Sequence, residues 1–251
     1  MRDLAYLKLL SREYPNIRAA ASDIINLQAI CGLPKGTEYF FSDLHGEHEA
    51  FIYLLRSSSG IIREKIRETF GHIISEEDEV RLANLIYYPE KMINQIKQAN
   101  EYTEDWQKTA VYRLVQICRE DFVEIHPFQG KKKMPREFSG VIDELLYVDN
   151  TDDNKTEYYS ELINTLIDVR VADSFIVVIC SLIRSLTIDN LHILGDIFDR
   201  GPRPDIILEE LMHFHDVDIQ WGNHDISWMG AATGNRACIC NVLRMALGYN
   251  G

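Results

Sequence analysis

Three short stretches of this chain each end an apolar run in side chains able to hold a metal ion or a phosphate. In Leu191–Pro202, LHILGDIFDRGP, the residues Leu191, Ile193 and Leu194 read as a buried strand. Gly195 then allows a close backbone approach, and Asp196, Asp199 and Arg200 follow in a loop that Gly201-Pro202 closes. Two carboxylates beside a guanidinium suit a metal next to a phosphate, although an ordinary strand-to-loop junction with a surface ion pair explains this stretch equally well on its own. Two further stretches follow the same pattern. Glu38–Glu47, EYFFSDLHGE, ends in Asp43, His45 and Gly46, and Asp218–Asp225, DIQWGNHD, ends in Gly222, Asn223, His224 and Asp225. Ligands of open α/β sheets bind outside the carboxyl ends of the strands, so three such endings are expected to converge on one crevice. Carboxylate, imidazole and amide oxygen together suit Mn, Fe or Zn.

The rest of the sequence must position these endings. Apolar residues recur at helical spacing from Asp3 to Ile30 with a break at Pro15, predicting two amphipathic helices that pack on the domain, and Cys31–Gly36 stops them. The first site strand is read at Tyr39–Ser42, followed by Gly46 and a helix through about Ser57. His48, on that helix, reads as an exposed or hydrogen-bonded histidine with a supporting role near the ligands as the alternative. Roughly 140 residues separate His48 from the second motif, where a strand-helix-strand unit needs about thirty, so a segment has been inserted. Its periodicity predicts helices over Ile61–Phe70, Glu76–Asn100 and Asp105–Phe122, with Ser75 capping an acidic first turn. His126–Pro135 reads as a loop and Asp149–Lys155 as a solvated turn. Thr156–Leu186 reads as helix despite the β-branched Phe175–Cys180. Pro204–His215 is a helix turning Ile206, Ile207, Leu211 and Phe214 to the sheet, Val217–Trp221 is the third site strand, and another helix begins at Ile226. His213 and His215 lie at the far end of their helix from the ligands and read as structural.

A formal charge of −13 argues against nucleic acid, which is gripped by clustered Lys and Arg. An acidic protein attracts a phosphorylated substrate only through local metal ions and arginines. Lys131-Lys132-Lys133, the one basic cluster, reads as a solvated loop ahead of a phosphate contact. The longest apolar run, Phe175–Cys180, is far too short to span a bilayer, and no leader pattern opens the chain, so the expectation is a cytoplasmic protein without membrane contact. Five scattered cysteines fit reduced thiols, and Cys238 and Cys240 read as semi-buried thiols ahead of a metal pair.

In order, SDLHG, GDIFDRG and GNHD resemble the three leading motifs of the calcineurin-like metallophosphatases. The opening YLKLLSREYPNIRAAASDIINLQAICGLPKGTEYFFSDLHGEHEAF and the long segment before GDIFDRGP narrow the resemblance to the class III fructose-1,6-bisphosphatases of bacteria, matching the amino-terminal part of a longer family chain. This resemblance implies an α/β fold, a sheet layered with helices. Residues 37–57 and 187–251 would form an incomplete core, 58–186 a mostly helical cap near the site mouth, and 1–36 the amino-terminal helices. It implies hydrolysis of fructose 1,6-bisphosphate to fructose 6-phosphate in gluconeogenesis, with two divalent metal ions, Mn²⁺ by preference. Asp43, His45 and Asp196 would hold the first metal, and Asp196 with Asn223 would reach the second. Arg200 would bind phosphate. His224 would be the general acid, oriented by Asp199 and supported by Asp225, with a role for His224 as metal ligand as the competing assignment.

The sequence departs from the family in one respect. Two histidines expected downstream of GNHD for the second metal are missing, since none follows His224. The expectation is therefore a fragment with one strong metal site, a weak second site, and weak or no activity. Apolar sheet surface left exposed would favour self-association. A Ser/Thr-protein or dinucleotide phosphatase shares the motifs, and a non-catalytic metal-binding remnant is the rival from another class.

Overall fold

The computed structural model describes residues 2–32, 36–124, 133–147 and 153–249. The chain divides into two compact units, residues 1–36 and 37–251. The first holds α1 (Arg2–Glu13) and α2 (Ile17–Cys31). Pro15 separates them, and the Asn16 side chain opens α2 by accepting the Ala19 N–H at 3.0 Å.

The second unit begins with β1 (Glu38–Ser42) and α3 (His48–Ser57). A helical array follows: α4 (Ile61–Phe70), α5 (Glu76–Tyr87), α6 (Pro89–Gln98), α7 (Glu104–Glu124), α8 (Ser139–Tyr147), α9 (Asp153–Asp168) and α10 (Ala172–Thr187). The chain returns through β2 (Asn190–Gly195), α11 (Pro204–His213) and β3 (Val217–Trp221), and continues in α12 (Asn223–Ala232) and α13 (Arg236–Tyr249). The three strands are parallel in the order β1-β2-β3, with Ser42, Leu194 and Gln220 in register. All three carboxyl ends therefore open on the same side.

Among the described residues, two hydrophobic clusters organise this unit. The larger lies within α4–α10 and includes the fully buried Ile66, Leu114, Ile142 and Phe175. The smaller joins the sheet to α3 and α11 through Phe51, Leu55, Leu191, Ile193, Ile207 and Leu211. Leu44 and Ile197, which alternate with site residues in the two leading motifs, plug into that cluster, so each site loop is pinned by an apolar side chain. On the other face Phe40 stays 57% exposed and Leu194 37% exposed.

Several expectations change here. The single helix expected over Glu76–Asn100 is two, because Pro89 has no N–H to donate and instead starts α6 at its first position. Ser75 does cap α5, accepting the Asp78 N–H at 3.1 Å. The helix read over Thr156–Leu186 is two, α9 and α10, and Phe175–Cys180 is helical as read, because α10 is apolar enough to be buried against several helices. The helix of the second motif ends at His213, and Leu208 rather than Ile206 joins Ile207 and Leu211 toward the sheet. The last expected helix starts at Asn223, three residues before Ile226. Lys131, Lys132 and most of the His126–Pro135 and Asp149–Lys155 segments lie outside the described residues. Lys133 is not solvated: its side chain is 10% exposed, and its ammonium donates to the Ser185 carbonyl at 2.7 Å and pairs with Asp189 at 2.6 Å. It satisfies carbonyls at the end of α10 where the helix dipole is negative.

Candidate metal centre

The sheet's register continues past the strands and brings the site loops together. The Asp43 N–H donates to the Leu194 carbonyl at 3.2 Å, and the His45 N–H to the Asp196 carbonyl at 3.0 Å. The Gly201 N–H returns to the His45 carbonyl at 2.6 Å. Backbone pairing therefore brings the carboxylates and the imidazole together. It does so at a conformational cost. Among the described residues nine non-glycines have positive φ, and four of them are Asp43, His45, Asp199 and Arg200. Left-handed backbone in non-glycine residues costs of order 1–3 kcal/mol each and concentrates where a site demands it.

Asp43, His45 and Asp196 offer ligand atoms that all lie within 4.8 Å of one another. This set fits a divalent cation on three grounds. Two oxygens and one nitrogen are the donors expected for Mn, Fe or Zn. The His45 ring donates its Nδ1–H to the Phe198 carbonyl at 3.1 Å, which leaves Nε2 as the ring nitrogen available to an ion. Histidine ligands are commonly oriented by such a carbonyl. Finally, the space is kept for the carboxylates by glycine: a Cβ at Gly222 would stand 2.0 Å from Asp196 Oδ1, and one at Gly195 2.3 Å from Asp43 Oδ1.

The GNHD loop closes the site from β3. The His224 N–H donates to Asp196 Oδ1 at 2.8 Å, and the His224 ring binds Asp199 through Nδ1 at 2.6 Å. An aspartate can only accept, so Nδ1 carries the proton and Nε2 is the free nitrogen, 4.0 Å from Asp196. Asp225 is buried and points at no ligand. Its oxygens accept the N–H groups of Ile197 and Phe198 at 3.0 and 3.1 Å and of Gly222 at 3.0 Å, tying the second and third motifs together. Asn223 opens α12 and is exposed, beside the N–H that binds Asp196. Arg200 is exposed and has no carboxylate partner among the described residues.

His213 and His215 face away as expected, bonded to the carbonyls of Glu209 at 2.7 Å and Asp189 at 3.0 Å. One residue escaped sequence reasoning: Trp228 donates its indole N–H to Asp199 Oδ1 at 2.9 Å and stacks on Phe198. Its spacing of one helical turn from His224 was the available signal.

The family model of the Firmicute fructose-1,6-bisphosphatases matches residues 5–251. Among curated proteins, the chain is 49% identical over 248 residues to the class 3 fructose-1,6-bisphosphatase of Clostridium novyi, covering 99% of this chain and 37% of the relative. It is 50% identical over 247 residues to that of Clostridium tetani, covering 98% and 37%. With the protein of the same name from Alkaliphilus metalliredigens it shares 48% over 248 residues, covering 99% and 37%. The chain thus spans somewhat over a third of the length of the relatives it matches. No solved structure matches it.

Proposed function

The chain belongs to the Firmicute fructose-1,6-bisphosphatase family, and we propose that its three strand-end loops form the metal-binding and proton-donating part of a phosphomonoesterase that converts fructose 1,6-bisphosphate to fructose 6-phosphate and phosphate. The observation that carries this reading is the meeting of Asp43, His45 and Asp196 at one point, with the Asp199-held imidazole of His224 alongside. The proposed architecture is that of the calcineurin-like metallophosphatases, with α4–α10 as a cap, and the proposed setting is the cytoplasm.

Asp43, His45 and Asp196 would hold a divalent cation, Mn²⁺ in this proposal, which when bound would supply positive charge to phosphoryl oxygens and acidity to a water. Asn223 would offer an amide oxygen to a second ion. The chain's own groups do the rest. Arg200, exposed and without a carboxylate partner, offers a bidentate fork to the phosphate. His224 takes up a proton at its free Nε2 and gives that proton to the leaving alkoxide, while Asp199 keeps Nδ1–H in place and stabilises the imidazolium between the two steps. Asp225 holds the two loops whose relative position sets this geometry.

The test is phosphate release from fructose 1,6-bisphosphate with added Mn²⁺, in this chain and in a chain of the relatives' length, each with and without His224→Ala. The expected result is Mn²⁺-dependent release that falls at least about a hundredfold in the variant. Release from phosphoprotein or dinucleotide substrates but not from the sugar bisphosphate would move the proposal to another phosphatase, and no release from any substrate would overturn it.

A further inference from the structure

We propose that Trp228 is a positioning residue for the proton donor: its indole N–H fixes the Asp199 carboxylate and, through it, holds His224 in the tautomer that leaves Nε2 free. The inference rests on the reading of His224 as the donor. Asp199 has a different partner on each oxygen, Trp228 Nε1 at 2.9 Å on Oδ1 and His224 Nδ1 at 2.6 Å on Oδ2. Rotating the carboxylate to serve one partner better breaks the other bond. Its side chain is 1% exposed, so water cannot replace either donor. The indole is itself immobilised by stacking on Phe198, with ring centroids 4.7 Å apart and planes inclined by 21°. Phe198 and Asp199 are consecutive, so the stack and the hydrogen bond grip the same turn, the one in which Asp199 and Arg200 adopt φ of 71° and 79°.

The arrangement is local in sequence on one side and distant on the other. His224 and Trp228 sit one turn apart on α12, so one helix carries both the imidazole and the group that orients its partner. Asp199 comes from the loop after β2. A small rotation of α12 would displace both donors together, so the two bonds hold the helix and the loop in one register. Which ring nitrogen carries the proton is decided by the bond the other nitrogen makes, so a carboxylate free to turn would release Nδ1 and let the proton move to Nε2.

The test uses Trp228→Phe, which keeps a ring against Phe198 but removes the N–H. In the metal-free chain with ¹⁵N-labelled histidine, at a pH where His224 is neutral, the unsubstituted protein is expected to hold His224 as the Nδ1–H tautomer. In the variant that share should fall to about half while the melting curve remains cooperative. In whichever length of protein hydrolyses the phosphate ester, kcat should fall about tenfold with KM within about twofold. A tautomer and a kcat both unchanged by the substitution would overturn the proposal. If Trp228→Phe does not fold, hydrogen exchange of the Trp228 indole in the unsubstituted chain decides. Exchange at least about tenfold slower than at the exposed Trp221 supports the bond, and equal rates overturn it. Failure of the unsubstituted protein to hydrolyse any ester removes the functional reading alone, because the tautomer result still decides the role of Trp228.

Discussion

Both oxygens of Asp225 serve backbone N–H groups, so this carboxylate acts on the site by holding loops rather than by touching a ligand. Asp225→Ala would strand one buried and two part-buried N–H groups. An unsatisfied buried donor costs about 1–3 kcal/mol, so urea unfolding of the variant should show a loss of at least about 1 kcal/mol, with Asp225→Asn losing less. Gly222 makes the opposite prediction. Because a Cβ there would sit 2.0 Å from Asp196 Oδ1, Gly222→Ala should displace the carboxylate, weakening Mn²⁺ affinity by at least about tenfold in calorimetric titration while most of the fold survives. At this scale much was legible in the sequence. SDLHG, GDIFDRG and GNHD each placed their ligand-type residues directly after a strand, and parallel register carried them together. Trp228 was not legible, because its partner Asp199 lies in another loop and only the packing of α12 brings them into contact.

The helices were legible in proportion to their local signals. Ser75 with four acids after it marked the start of α5, and Pro89 should have marked its end, but the apolar stripe running on to Gln98 masked the break. Lys133 could not be read from its neighbours, since a run of lysines says nothing of the carbonyls at the end of α10 that receive one of them. The α4–α5 junction is governed by Glu79, whose carboxyl is held below the usual glutamate range first by the Arg63 hydrogen bond and then by Arg67, at 3.0 Å. A group with a lowered native pKa contributes stability that is present above its ordinary value and is lost as pH falls through the native one. Glu79→Gln should therefore lower the melting temperature at pH 7, and the two proteins should converge as the pH is taken down through the acid range. A constant difference down to pH 2 would refute this account of the junction.

Taken whole, the described chain contains no helix long and apolar enough to cross a membrane, and its cysteines differ sharply in surroundings. Burial pushes the Cys180 thiol up to about 12, whereas Cys240 is exposed. Since the thiolate is the reactive form, iodoacetamide at pH 8 should alkylate Cys240 in the native protein and Cys180 only after unfolding, as read by peptide mass spectrometry. One face of the sheet carries the exposed Phe40 and Leu194, since strand periodicity shows which residues share a face but not what covers it. The proposed metal centre is built by two loops and closed by a third. Calorimetric titration of Mn²⁺ into the unsubstituted chain and into Asp196→Ala tests it most directly. One site per chain, lost in the variant while its melting curve stays cooperative, is the predicted result; absence of binding in both, or equal binding in both, would contradict it.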